Sequence, residues 1–284
     1  MKKTVTVEVN AKINLSLLVT GRKDGYHMLD TVVASVDLAD VVSACKADKN
    51  EIVFSAPIIV AEKSNAYKAL SYMSEKYFLP PVSIKVGNRI PCGAGLGGSS
   101  ADCAGVILAV NKLFSLQLSV GEMREIAGKF GSDTAYMITG GFARLAGRGD
   151  EIDFFESEFC PEVLIAYKGE VSTKECFLLF DKTKPTAEFQ GNDRLIRLLE
   201  SDCPEKACEC LFNHLTVPAE KLNGNIMRIF DIVKGRNAVM TGSGAGVVVF
   251  SSDEQTENEL LSGGINARVI NTPAEARIGC GVSA

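Results

Sequence analysis

One run, Asn88-Arg-Ile-Pro-Cys-Gly-Ala-Gly-Leu-Gly-Gly-Ser-Ser-Ala-Asp102, restricts the fold more than any other part of the chain. A strand pattern over 82–86 leads into it, and small and aliphatic residues at helical spacing lead out over 99–114. Glycines at 93, 95, 97 and 98 let the backbone turn sharply and bring N–H groups against a ligand. Ser99 and Ser100 fall at the helix N-terminus, where unpaired N–H groups and the helix dipole favour an anion. Phosphate fits that chemistry. Gly93-x-Gly95-x-x-Gly98 formally satisfies a dinucleotide fingerprint, but Pro91 and a part-polar strand precede it. A Walker loop is excluded, because no Gly-Lys-Ser/Thr follows the glycines. A glycine-rich turn with a purely structural role is the plain alternative.

The 284 residues suffice for one large domain or two ordinary ones. No apolar run reaches the roughly 18 residues of a membrane-spanning helix. The alternation of residues 4–9 reads as a strand, where a signal peptide would be continuously apolar. A soluble, cytoplasmic protein is the expectation. The net charge of −5, without any basic run, argues against nucleic acid as a partner. A small-molecule substrate is expected, with neither nucleic acid nor membrane, and there is room for a homodimer. The nine cysteines are an odd number and scattered, which suits reduced thiols better than a disulfide framework. Cys203, Cys208 and Cys210 lack both the Cys-x-x-Cys spacing and the histidine that zinc would want, so no metal site is expected there.

Period-two alternation places strands at 4–9, 12–20, 29–37, 40–45 and 82–86, then at 140–146, 162–167, 237–241, 245–250 and 266–270. Helices are predicted at 64–77, 99–114, 120–130, 172–181, 192–200, 204–213, 217–234 and near 253–262. Ser119-Val-Gly-Glu122 forms a capping-box pattern at the start of the predicted helix 120–130. A polar, acidic stretch covers about 148–158, and the boundary between domains 1–157 and 158–284 is set there.

Pro91-x-x-x-Gly95-Leu96-Gly97-Gly98-Ser99-Ser100 resembles the phosphate-cradling second motif of the GHMP kinase superfamily. Ala11-Lys12-Ile13-Asn14-Leu15 is similar to its first motif, and Met240-Thr-Gly-Ser-Gly-Ala-Gly246 to its third. Gly21-Arg-Lys-Asp-Gly-Tyr-His27 resembles the Asp-Gly-Tyr-His signature of the 4-diphosphocytidyl-2-C-methyl-D-erythritol kinases, whose Tyr and His contact the substrate cytosine. Without the resemblance, Asp24-Gly25 is an ordinary hairpin turn. Gly131-Ser-Asp133, Gly147-Arg-Gly-Asp150 and Val171-Ser-Thr173 resemble the catalytic-carboxylate, Gly-Arg-Gly-Glu and substrate-lining segments of that family. The chain departs from the pattern at Asn88, at Ser99, at Asn213-His214-Leu215, and in Asn65-Ala-Tyr-Lys-Ala69, an adenosine-side segment one residue short.

The resemblance implies an α+β, two-domain GHMP kinase fold: an N-terminal domain like ribosomal protein S5 domain 2 and a ferredoxin-like C-terminal domain. It implies ATP-dependent phosphorylation of a 2-hydroxyl in the non-mevalonate route to isoprenoid precursors. Lys12 and Asp133 are then the expected catalytic pair, Asp133 as proton acceptor. Without the family pattern they would read as a solvated strand end and a helix N-cap. Asn14, which shares a strand face with Lys12, joins Tyr26, His27 and Thr173 as substrate-binding. Asn65, Pro91, Gly93, Gly95, Leu96, Gly97, Gly98, Ser99 and Ser100 are the expected ATP-binding residues. Mg2+ is expected with ATP, near Ser99 or Ser100, without a dedicated protein site. Other readings are a homoserine- or mevalonate-type kinase, a dinucleotide-dependent oxidoreductase, and a nucleotide-binding module without turnover.

Overall fold

A computed structural model describes residues 3–57, 60–183, 191–250 and 253–272; Cys280 lies outside them. The N-terminal alternation forms two strands longer than predicted. β1 (Thr4–Lys23) merges 4–9 with 12–20, and β2 (Tyr26–Lys46) merges 29–37 with 40–45. They pair antiparallel from Thr4↔Cys45 to Lys23↔Tyr26. Asp24 and Gly25 turn between them with φ of 51° and 83°, the left-handed pair that a tight hairpin requires. Register shifts interrupt the ladder at Asn10/Lys12, Asn14/Ser16 and Val19/Gly21. Bulges of this kind bend a strand and re-aim its side chains, and the first one immediately precedes Lys12.

β3 (Glu51–Phe54), β4 (Val82–Gly87), β5 (Phe142–Gly147) and β6 (Glu151–Phe155) complete most of the first sheet. β3 and β4 extend it beyond one stretch of β2, while β5 pairs with another stretch and carries β6. β6 falls within the polar, acidic stretch 148–158, where no strand was predicted because Glu151 and Asp153 make one face of Glu151-Ile-Asp-Phe-Phe155 polar. Four helices belong to this half: α1 (Asn65–Lys76), α2 (Gly98–Phe114), α3 (Val120–Gly128) and α4 (Ser132–Met137). The capping box forms as predicted, with the Ser119 hydroxyl accepting from the Glu122 N–H and Glu122 accepting from the Ser119 N–H. α2 lies flat on β1 and β2 because Gly105 has no side chain. A Cβ there would stand 2.5 Å from Cγ2 of Val42.

The second sheet contains β7 (Glu162–Tyr167), with β8 (Phe212–Asn213) crossing back to pair in parallel with β1 of the first sheet. β9 (Ala238–Met240), β10 (Val247–Val249) and β11 (Asn266–Asn271) complete it in the order β11-β7-β10-β9, antiparallel throughout. Taken in chain order, that is the 4-1-3-2 arrangement of a ferredoxin-like sheet. Both faces are covered: Val163 and Ile165 join the apolar cluster of the first sheet, while Leu164 and Ala166 face a second cluster. That second cluster is built with α5 (Thr173–Thr183), α7 (Thr216–Leu222), α8 (Asn225–Ile232) and α9 (Glu254–Ser262), which contributes Leu260, whereas α6 (Asn192–Leu199) packs Leu195 and Leu199 into the first cluster.

Two helix expectations are corrected here. The segment 204–213 is a 3-10 helix, Pro204–Cys210, followed by β8. The single helix expected over 217–234 breaks at Asn223-Gly224. Asn223 supplies the reason: its Oδ1 accepts from the Asn225 N–H at 3.1 Å and its Nδ2 donates to the Lys168 carbonyl at 2.8 Å. An Asn side chain that binds backbone in this way competes with the helix ladder.

Candidate active site

The glycine-rich run connects β4 to α2 and takes its shape from close backbone approach. Gly97 is the N-cap of α2 at φ 79° and offers no side-chain cap, which leaves the first turn open to a phosphate oxygen. Gly95, at φ 71°, lies so close to the third glycine-rich segment that a Cβ would collide with the Thr241 carbonyl oxygen. Backbone bonds tie the run on both sides: Lys12 N–H donates to Leu96 O at 3.0 Å, and Ala245 N–H donates to Gly93 O at 2.9 Å. All three motifs therefore meet here.

Lys12 is buried, and its Nζ stands 3.6 Å from Oδ2 of Asp133, which remains 38% exposed. The side chain passes Gly97, where a Cβ would lie 3.4 Å from the Lys12 Cγ and would strike Met137. Lys12 is thus no solvated strand end. Asp133 is not an N-cap either: it lies in the first turn of α4, behind Gly131. Asn14 collects three donors on Oδ1, namely Lys12 Nζ at 2.6 Å, Gly242 N–H at 2.9 Å and the Thr241 hydroxyl at 3.2 Å. Its amide nitrogen donates to Thr31 at 2.8 Å.

Around this pair opens a cavity of about 700 Å³. Lys12, Asn14, Asp133, Thr173, Asn65, Pro91, Gly93, Gly95, Leu96, Gly97, Gly98, Ser99 and Ser100 all line it. Asn65 is anchored by donating to the Phe130 carbonyl at 2.6 Å, and the Thr173 hydroxyl is 2.8 Å from that of Ser243. Tyr26 and His27 are not in the wall itself. They stand behind two residues that are: the Arg148 guanidinium lies 3.7 Å over the Tyr26 ring, and Phe177 stacks on His27 at 4.5 Å. Phe177 was not singled out from sequence, since one aromatic on an amphipathic helix reads as core. Arg148 sits in the Gly-Arg-Gly-Asp segment, which was marked, though its arginine was not.

Beneath the loop lie two carboxyl groups that sequence reading passed over. Asp40 is fully buried, and its Oδ1 accepts from the N–H groups of Arg89 at 2.5 Å and Ile90 at 2.8 Å. Its Oδ2 has no donor. Asp102 faces it from α2, held by Asn88 Nδ2 at 3.2 Å and 3.3 Å. Burial, reinforced by the charge of Asp40, pushes the Asp102 carboxyl up to about 8. One proton between the two oxygens satisfies Oδ2, so Asp102 is the neutral member of the pair near neutral pH. Partial desolvation, with the charges of Asp102, Asp40 and Glu170, raises the thiol of the exposed Cys92.

Among the described residues no group of three or more His, Cys, Asp or Glu side chains gathers as a metal cage.

Comparison with known proteins agrees with this geometry. Residues 64–143, which contain the loop, match the GHMP kinases N terminal domain. The chain is 34% identical over 247 residues to the 4-diphosphocytidyl-2-C-methyl-D-erythritol kinase of Caldicellulosiruptor saccharolyticus, with 84% of each covered. The chain belongs to this kinase family. A relative of the same description in Bacillus pumilus is 32% identical over 248 residues, covering 84% of this chain and 85% of the relative. The fold is shared with a crystal structure of 4-(cytidine 5'-diphospho)-2C-methyl-D-erythritol kinase at TM-score 0.75 and 23% identity, over 96% of this chain and 100% of that one. A mevalonate kinase shares it at TM-score 0.67 and 18% identity, over 95% and 99%. The chain is therefore an ATP-dependent small-molecule kinase of the α+β GHMP class, which sets aside the oxidoreductase reading of residues 93–98.

Proposed function

We propose that this kinase transfers the γ-phosphoryl group of ATP to the 2-hydroxyl of 4-diphosphocytidyl-2-C-methyl-D-erythritol, a cytoplasmic step toward isoprenoid precursors. The observation that carries the reading is the Lys12–Asp133 pair, 3.6 Å apart in the wall of the cavity formed under the phosphate loop. Phosphoryl transfer depends on positioning and charge neutralisation more than on covalent help. Asp133 takes the proton from the substrate hydroxyl as its oxygen bonds to the γ-phosphorus and the bond to ADP breaks. Lys12, held by Asn14 at 2.6 Å, neutralises charge on the transferring group. The loop N–H groups and the open end of α2 hold the phosphates, accompanied by Mg2+.

Two sets of lining residues suit two ligands. Lys63, Ser64 and Asn65 at the start of α1 suit the nucleoside end of ATP. Thr31, Arg148, Thr173 and Phe177 suit the cytidyl substrate. Tyr26 and His27 support that second set, and Asn14 and Thr173 border the polyol.

The test is ADP release by purified protein with the cytidyl substrate, with mevalonate, homoserine and no acceptor as controls. Turnover confined to the cytidyl substrate is expected. Turnover of another alcohol instead would overturn the substrate assignment, and ATP binding without turnover of any acceptor would overturn the catalytic assignment.

A further inference from the structure

The glycine-rich loop leaves β4 after Gly87 and enters α2 at Gly98, and its two ends lie against each other. Ile90 is buried at the start of the helix. A Cβ on Gly98 would stand 3.3 Å from Cγ2 of Ile90 and 3.9 Å from Oδ2 of Asp40. Asp40, reaching in from β2, therefore sits beneath the entry and the exit of the loop together. Its Oδ1 accepts from two consecutive N–H groups of the entry, Arg89 at 2.5 Å and Ile90 at 2.8 Å. Pro91 follows and has no N–H to add.

Asn88 carries the tie across to the helix. Its N–H donates to the Ser55 hydroxyl at 2.8 Å, and its Nδ2 donates to both oxygens of Asp102, which faces Asp40 from α2. Among the described residues no cation forms an ion pair with Asp40; the guanidinium of Arg89 reaches Glu8 instead, at 3.8 Å. A buried carboxyl group is costly unless hydrogen bonds use it, and here the bonds it makes are to the backbone of the loop. That backbone is also the part that meets phosphate. Loop N–H groups have no rotamers, so the direction in which they point is set by where the ends of the loop are fixed.

We propose that Asp40 is a positioning residue for the phosphate loop: by accepting the Arg89 and Ile90 N–H groups beneath Gly98, it locks the loop entry against the first turn of α2 and so aims the loop N–H groups at the phosphates of ATP. Asp40 borders the cavity but is fully buried, so it acts through the loop. The role rests on the loop as the ATP site and holds whichever alcohol accepts the phosphoryl group.

The experiment is calorimetric titration of wild type, Asp40→Ala and Asp40→Asn with ADP, alongside steady-state kinetics. In Asp40→Ala both N–H groups lose their acceptor, and ADP should bind about tenfold more weakly, the weight of roughly one hydrogen bond. KM for ATP should rise in step, with KM for the acceptor near wild type. Asp40→Asn keeps one oxygen that accepts from both N–H groups, and its NH2 turns toward Asp102, so ADP affinity should recover. A merely structural role would lower the active fraction and leave the ADP affinity of the folded protein unchanged, which would overturn the proposal. Asp40→Asn as weak as Asp40→Ala would also overturn it, as would KM rising alike for both substrates. Wild type that turns over no cytidyl substrate would overturn the substrate reading alone, because ADP titration needs no acceptor. Amide hydrogen exchange on wild type removes any dependence on a variant that fails to fold. The Arg89 and Ile90 amides should be protected without nucleotide, and the amides of 95–100 should slow when ADP binds. Exchange at 89 and 90 as fast as in an exposed loop would overturn the proposal.

Discussion

Replacing Asp102 by Asn tests the shared proton beneath the ATP loop directly. The native pair keeps a proton on Asp102 up to about pH 8, whereas the ordinary value of such a group is 3.8. Between those limits the folded chain binds a proton that the unfolded chain releases. Stability therefore falls as pH rises through this window, and the penalty is complete above the folded value. At about 1.4 kcal/mol per unit, a rise from about pH 5 to about pH 8 gives a ceiling of about 4 kcal/mol for this site. An Asn at 102 carries no charge in either state. Its NH2 can donate to the unpaired Oδ2 of Asp40, and its oxygen can accept from Asn88 Nδ2. The variant should match wild type near pH 5 and exceed it near pH 8 by at least ~1 kcal/mol, a shift of roughly 2–4 °C in Tm for a chain of this size. Urea midpoints and Tm for both proteins across that pH range are the assay. Parallel stability curves for the two would refute the shared proton.

Other perturbations separate chemistry from scaffold. Asp133→Asn should lower kcat by about 10²–10⁴-fold, the weight of a positioned general base, with KM for both substrates near wild type in steady-state kinetics. Near-normal turnover would remove Asp133 from its role. Gly95→Ala puts a side chain at φ 71° and against the Thr241 carbonyl. It should cost at least ~1–2 kcal/mol of stability from the backbone conformation, read by denaturation, and should raise KM for ATP. Gly105→Ala should destabilise by about 1–3 kcal/mol through its clash with Val42, while leaving KM for ATP unchanged.

What the chain revealed in advance was whatever local chemistry controls. Asp24-Gly25 can take positive φ and made its hairpin. Ser119 and Glu122 formed their capping box. Lys12 and Asn14, two residues apart, fell on one strand face as period two requires, and they bond to each other. The continuity of β1 was hidden because its register shifts break the alternation at the places where the strand turns its side chains toward the site. α4 was hidden because it has only 6 residues and no side-chain cap, so without the family pattern Asp133 read as an N-cap, where the structure has Gly131. Asp40 and Asp102 are far apart in sequence, and nothing in either neighbourhood announces the other. Phe177 had the same difficulty, since helical spacing distinguishes a buried face from an exposed one but not a core aromatic from one that lines a cavity.

The C-terminal sheet supplies neither member of the Lys12–Asp133 pair, yet it helps to set the pair's geometry. Asn14 Oδ1 receives Lys12 from its own strand and Thr241 and Gly242 from the segment between β9 and β10. Asn213 holds that segment in turn, donating to Met240 O at 2.7 Å and Gly242 O at 2.9 Å. An acceptor shared by three donors loses alignment with one when another moves. A shift of the third motif is therefore transmitted to the lysine ammonium without any change in the first motif. That gives the third motif's glycines a physical role even where they touch no nucleotide: Gly246 approaches Ala94 O, and Gly242 approaches Gly95, so the two loops can lie backbone against backbone. The Thr241–Gly246 segment acts as the far wall of the phosphate loop, and the position of Lys12 depends on both sheets being in place.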